Sequence, residues 1–76
     1  MTISVRQIVR EAIARHCRVA ISEVEDDFVI TQGENKIMTD IVMETKRVVK
    51  ITIGMTAGEL ATRVENESIR GWKDNV

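Results

Sequence analysis

The chain has 76 residues, 43% of them hydrophobic and 30% charged, with a formal net charge of −1. This balance excludes a disordered chain, and the length excludes more than one domain. We therefore expect a single domain over residues 1–76, with its core at about residues 4–67 and a loose tail at 68–76. Because proline is absent and aromatic residues make up only 3%, aliphatic helix packing is favoured over a β-sandwich.

Apolar runs long enough to span a membrane are missing, and the single cysteine, Cys17, cannot form an internal disulfide. These features predict a cytoplasmic protein with no membrane partner. The charge is segregated, with a net +3 in residues 1–18, −5 in 19–34, +2 in 35–50 and −1 in the remainder. We expect this alternation to reflect a solvated surface with attraction between segments, and a dedicated partner patch is the alternative.

The first predicted element is an amphipathic helix whose start Thr2 or Ser4 could cap. His16 falls on its apolar side and is expected to be packed or capping, because the sequence holds no other histidine to complete a metal site. Cys17 is expected at the edge of the core. The apolar side consists of Val5, Ile8, Val9, Ala12, Ile13 and His16.

A long acidic loop is predicted for residues 19–33, held to the core by Val24, Phe28 and Ile30. A strand over residues 24–30 is the rival interpretation, although three acids in succession, Glu25 to Asp27, make a poor strand centre. Gly33 then supplies a permissive backbone before the second helix.

Asn35 is the predicted N-cap of the second helix, which we project as far as residue 50. Met43 is the one apolar side chain on its polar side, and it marks either a partner contact or an isolated exposed methionine. The predicted apolar side is Ile37, Met38, Ile41, Val42, Thr45, Val48 and Val49. The predicted polar side is Lys36, Thr39, Asp40, Met43, Glu44, Lys46, Arg47 and Lys50.

A short strand is the local alternative for residues 48–53, which are rich in β-branched side chains. Thr56 and Glu59 match a capping box that opens a last helix, with Leu60, Ala61 and Val64 on its apolar side. Beyond it, Trp72 is expected to be either folded back on the core or exposed.

The order of these features resembles the acyl carrier protein family, including peptidyl carriers, over residues 5 to about 65. The segment Gly33-Glu-Asn-Lys-Ile37 stands where the family has Gly-x-Asp-Ser-Leu, and Asp40-Ile-Val-Met43 is similar to its Glu-Leu-Val-Met. Thr56-Ala-Gly-Glu-Leu60 is similar to its Thr-Val-Gly-Asp-Leu. The resemblance implies an all-α bundle of three main helices with a long first loop and a shortened or absent third short helix.

Members of that family join phosphopantetheine to a serine hydroxyl at the start of the second helix. The matching residue here is Lys36, or Asn35 if the spacing is shifted, and neither offers a hydroxyl. The resemblance thus implies the family's cofactor-binding corner, Gly33, Asn35, Lys36 and Ile37, but no cofactor. We expect no catalytic residue and no metal.

The first functional hypothesis is a non-carrying interaction or regulatory module in fatty acid, polyketide or peptide biosynthesis. It would be a monomer that docks on an acyl- or peptidyl-processing enzyme. The alternative is a genuine phosphopantetheinylated carrier whose serine has been replaced artificially. The predicted partner-binding residues are Asp40, Met43, Glu44, Lys46 and Arg47.

Two further hypotheses concern catalysis and nucleic-acid binding. Catalysis by Lys36 would require a buried amine or a neighbouring cation, whereas Lys36 is expected in solvent, paired with Asp40 one turn on. Nucleic-acid binding is suggested by the arginines of the first helix. It is also suggested by residues 56–63, whose sequence is similar to part of a helix-turn-helix motif. A slightly acidic chain with few aromatic residues argues against it, so no nucleic-acid partner is expected.

Overall fold

The computed structural model describes residues 4–67 and gives three α-helices: α1 (Val5–Cys17), α2 (Glu34–Thr45) and α3 (Ala57–Asn66). A 3-10 helix, Ile21–Glu23, interrupts the long loop between α1 and α2. Strands are missing from the described residues, where the only β pairing is an isolated bridge between Val29 and Thr56. The all-α prediction with three main helices is confirmed, and residues 46–56 contain no additional short helix. The predicted tail at 68–76, with Trp72, lies outside the described residues.

Two helix starts form as their sequences predict. Ser4 Oγ accepts the N–H of Gln7 at 3.1 Å and so caps α1. Thr56 and Glu59 form the predicted capping box, in which each side chain accepts the other's backbone N–H at 3.2 Å. These bonds satisfy N–H groups that the helix itself leaves without partners.

The limits of α2 differ from the prediction. Its N-cap is Gly33 in a left-handed conformation, φ 76°, and not Asn35, which lies inside the helix. The helix ends at Thr45, because Lys46 adopts φ 61° and donates its N–H back to Val42. The projection to residue 50 is therefore wrong, and the optional strand at 48–53 is also absent from the structure. The β-branched residues after Lys46 suit an extended path better than a helix.

Helix α1 is the central element, since it contacts both α2 and α3. Within residues 4–67, by contrast, the Cα traces of α2 and α3 do not come within 8 Å of each other. Loop side chains fill the space between the helices, as predicted for Val24 and Ile30, while Phe28 is half-buried. Cys17, expected at the core edge, is a buried member of the core. The fully buried side chains are Val9, Ile13, Val24, Ile30, Ile37, Ile41, Leu60 and Val64.

The arginines of α1 hold the acidic loop in place. Arg10 donates from Nε to the carbonyl of Val24 at 2.9 Å and from Nη2 to that of Ile21 at 3.3 Å. Arg6 lies 3.8 Å from an Asp26 oxygen and 3.4 Å from Glu65 on α3. The segregated charges thus attract one another inside the fold, although such exposed ion pairs add only about 0–1 kcal/mol each.

Candidate interaction surface on α2

The corner where α2 begins is open to solvent. Asn35 and Lys36 are exposed in its first turn, whereas Ile37 is fully buried and faces the core. A shallow depression of about 550 Å³ lies beside this corner. Its lining residues are Arg15, His16, Arg18, Gln32, Gly33, Glu34, Asn35 and Lys36.

The depression is basic, because three cations lie around it with one carboxylate, and none of its lining side chains has a hydroxyl. A smaller adjoining depression, which Lys36 also lines, does include a hydroxyl, that of Thr39. Thr39 Oγ1 donates to the carbonyl of Asn35 at 2.9 Å. The larger depression at this corner therefore offers positive charge and free helix N–H groups. Its lining has no serine hydroxyl of the kind to which carrier proteins attach phosphopantetheine.

Asp40 joins α2 to α1. Its Oδ2 accepts from Arg15 Nη1 at 2.8 Å, and His16 Nε2 lies 2.7 Å from the same oxygen. The imidazole tautomer with its proton on Nε2 donates to this carboxylate. The ion pair expected between Lys36 and Asp40 is not formed, because the partners of Asp40 come from α1. His16 is partly buried, with 19% of its side chain exposed, and is bonded to Asp40.

We expect Asp40→Asn to lower the free energy of unfolding by about 1–2 kcal/mol, since it weakens two charge-assisted bonds between helices. We do not expect the larger losses of stability that charge-assisted hydrogen bonds can cause, because the Arg15 side chain is 62% exposed and its pairing is weakened by water. Glu44→Gln is the matched control, an exposed carboxylate on the same helix. Urea unfolding followed by circular dichroism measures the free energy of unfolding of both variants. Equal losses in the two would contradict a stabilising contact between Asp40 and α1.

The predicted partner-binding residues separate into two groups. Met43 is 70% exposed, and Glu44 and Lys46 are also at the surface. Arg47 is half-buried instead, and its Nη1 donates to the carbonyl of Val64 at 3.2 Å. This bond connects the segment after α2 to the last turn of α3. Asp40 is half-buried and paired with α1, as described above.

A depression of about 280 Å³ lies beside Met43, lined by Arg15, Asp40, Met43 and Glu44. We call these four residues the Met43 surface. Sequence reasoning missed Arg15, because it lies on α1 and no spacing rule relates it to α2. The surface combines one protruding apolar side chain with charges of both signs, an arrangement that suits contact with another protein.

Scans against protein-family models, curated proteins and solved structures return no match to this chain. Fold and site together define a small all-α bundle with an exposed methionine on α2.

None of the helices within residues 4–67 has the length and apolarity that a membrane crossing requires. The same residues include no group of three or more His, Cys, Asp or Glu side chains placed to hold a metal.

Proposed function

We propose that this chain is an acyl-carrier-like interaction module that docks on an enzyme of fatty acid, polyketide or peptide biosynthesis without carrying phosphopantetheine. Its main support is Met43, an exposed apolar side chain on the outer side of α2 with charged neighbours. A flexible thioether adapts to the shape of a partner, and the neighbouring charges give such contacts their orientation. In this proposal the protein is a monomer that is not itself an enzyme.

The second support is the chemistry of the α2 corner. A hydroxyl is needed to form a phosphodiester with the prosthetic group, and the side chains around Lys36 include none within the depression. The three-helix order with a long first loop is compatible with a carrier scaffold. The lost attachment residue and the exposed Met43 together favour recognition of a partner over transport of an acyl group.

The interaction is tested by titrating the ¹⁵N-labelled protein with purified ketosynthase, thioesterase and condensation domains. We expect one of them to perturb the amide signals of the Met43 surface, and Met43→Glu to weaken its binding about tenfold or more. Ile53→Glu is the matched control, because Ile53 is 51% exposed and lies outside α2. Binding to no member of the panel, or equal affinity of the two variants, would contradict the proposal.

A genuine carrier whose serine has been replaced is the second candidate. The observation that favours it is the basic depression beside the start of α2, where Arg15 and Arg18 would suit a phosphate. In this candidate a serine belongs at position 36, and the natural protein carries the prosthetic group.

Intact mass after incubation with coenzyme A and a phosphopantetheinyl transferase separates these candidates. We expect the wild-type mass to stay unchanged, because an amine at position 36 cannot form the diester. A gain of one phosphopantetheinyl unit by the wild type would refute the non-carrying proposal. Efficient modification of Lys36→Ser would favour the replaced-serine candidate, and its failure would count against that candidate. An established carrier protein serves as the positive control for the transferase.

A further inference from the structure

The segment between α2 and α3 includes a short stretch with the side-chain pattern of a β-strand. Residues 48–52 are rich in β-branched side chains, which favour strands. Two of them, Val49 and Ile51, are buried, with 6% and 8% of their surface exposed. The residues that alternate with these two are exposed, namely Val48, Lys50 and Thr52. A period of two is the pattern that a strand shows when one of its faces packs on a core.

The backbone of this stretch has no strand partner. Within residues 4–67, none of the N–H groups of residues 48–52 donates a hydrogen bond, and among their carbonyls only that of Thr52 accepts a backbone N–H, from Met55. Pairing starts just beyond, where Gly54 donates to the carbonyl of Ile30 at 2.9 Å. Residues 48–52 therefore form an open edge, whose backbone groups must be satisfied by water or by another chain.

The surroundings of the open edge are mainly basic. Lys50 lies within it and Lys46 precedes it, and both are exposed. Arg63 of α3 lines a depression of about 600 Å³ whose wall also includes Val48 and Lys50. Among the described residues that line this depression, Glu67 is the one carboxylate. An acidic strand would thus be attracted to the edge, and a basic strand would be repelled.

We propose that the open edge, residues 48–52, binds an extended acidic segment of another protein, which adds to it as a second strand. The backbone groups supply the hydrogen bonds of this pairing, and the exposed side chains set its preference. The best partner has an acidic residue opposite Lys50 and β-branched residues opposite Val48 and Thr52. This inference is independent of the proposed function, because the Met43 surface shares no residue with the open edge.

A second copy of the chain is a poorer occupant of the open edge. The antiparallel register that overlaps residues 48–52 completely with the same residues of another copy places Lys50 opposite Lys50. Like charges in directly opposed positions destabilise a strand pair, and lysine is one of the residues that protect exposed edges from self-association. Charge complementarity therefore favours an acidic partner of a different sequence.

Blocked five-residue peptides test the proposal when they are titrated at low salt into the ¹⁵N-labelled 76-residue protein. The acidic peptide is Val-Thr-Glu-Thr-Val, and the control peptide has lysine in place of glutamate. We expect the acidic peptide at millimolar concentration to shift the amide signals of residues 48–52. The control should bind about threefold more weakly or worse, a modest factor because exposed ion pairs are individually weak.

Two protein variants locate the interaction. Lys50→Glu should reverse the preference, so that the lysine peptide binds better than the glutamate peptide. Met43→Glu should leave the preference unchanged, because Met43 lies outside the open edge. Circular dichroism checks that both variants remain folded. Equal binding of the two peptides to the wild type, or no shift at residues 48–52 with either of them, would overturn the proposal.

A third peptide separates strand pairing from simple charge attraction. It has the acidic sequence with its three central backbone nitrogens methylated, so it keeps the charge but cannot pair as a strand. We expect this peptide to leave the signals of residues 48–52 in place. Equal binding of the methylated and unmethylated acidic peptides would contradict strand addition.

Hydrogen exchange of the free protein checks that the edge is open. We expect the amides of Val48, Lys50 and Thr52 to exchange much faster than those of Ile41 and Leu60, which are fully buried in helices. Protection at all protein concentrations would assign the edge to another part of the same chain, and protection lost on dilution would assign it to a second copy. Either result would overturn the proposed partner.

Discussion

Replacement of Ile41 by alanine is expected to lower the free energy of unfolding by about 2–5 kcal/mol. Ile41 is fully buried in α2, and the cavity left by three lost carbon atoms cannot be refilled by neighbours that belong to other elements. A domain this small has little stability in reserve, since typical values are about 0.05–0.15 kcal/mol per residue. We therefore expect Ile41→Ala to be partly unfolded at 37 °C.

Ile53→Ala is the matched control for this prediction, because it makes the same change at a side chain that is 51% exposed. Its expected loss is below about 1 kcal/mol. Urea unfolding at 25 °C measures both variants against the wild type, with the slope of the transition as a check on two-state behaviour. Comparable midpoints for the two variants would contradict the core position of Ile41.

The second large effect is expected at Gly33, the residue that starts α2. Its φ of 76° is costly for a residue with a side chain, and an added Cβ would lie 3.1 Å from His16 Cβ. Since that neighbour is held on α1, Gly33→Ala combines backbone strain with crowding between helices. We expect a loss of about 3 kcal/mol in the free energy of unfolding.

Gly54→Ala separates the two causes. Gly54 also has a positive φ, 98°, but an added Cβ would have no neighbour within 4 Å. Its expected loss is the strain alone, about 1–2 kcal/mol. The difference between the variants in thermal or urea unfolding measures the crowding against His16. Identical losses would mean that α1 and α2 adjust without cost at this contact.

The helices of this fold could be predicted because local chemistry specifies them. Apolar residues at steps of three and four predicted the positions of all three helices. Ser4, Thr56 and Glu59 marked the starts of α1 and α3, because their capping bonds join residues within four positions of each other. The end of α2 could not be located in this way. Lys46 stops the helix in a left-handed conformation that asparagine or glycine signals in a sequence but lysine does not.

Long-range partners were beyond prediction from the sequence for a different reason. Asp40 was expected to bind Lys36 on its own helix, but Arg15 and His16 reach it from 25 and 24 residues away. Arg47 was assigned to the surface by helical spacing, and the early end of α2 turns it towards Val64 instead. In both cases the competing partner lies on another element, whose position depends on the whole fold. The predicted exposure of Met43, which needs only the helix itself, is confirmed.

The position of α1 between α2 and α3 has a consequence for biosynthesis. The apolar face of α1, within residues 5–17, is covered partly by α3, residues 57–66, which is synthesised much later than α1. Until residues 57–66 are synthesised, α1 has only α2 and loop side chains to shield it from chaperones and other nascent chains. A fragment that stops before residue 57 would therefore be a poor folding unit.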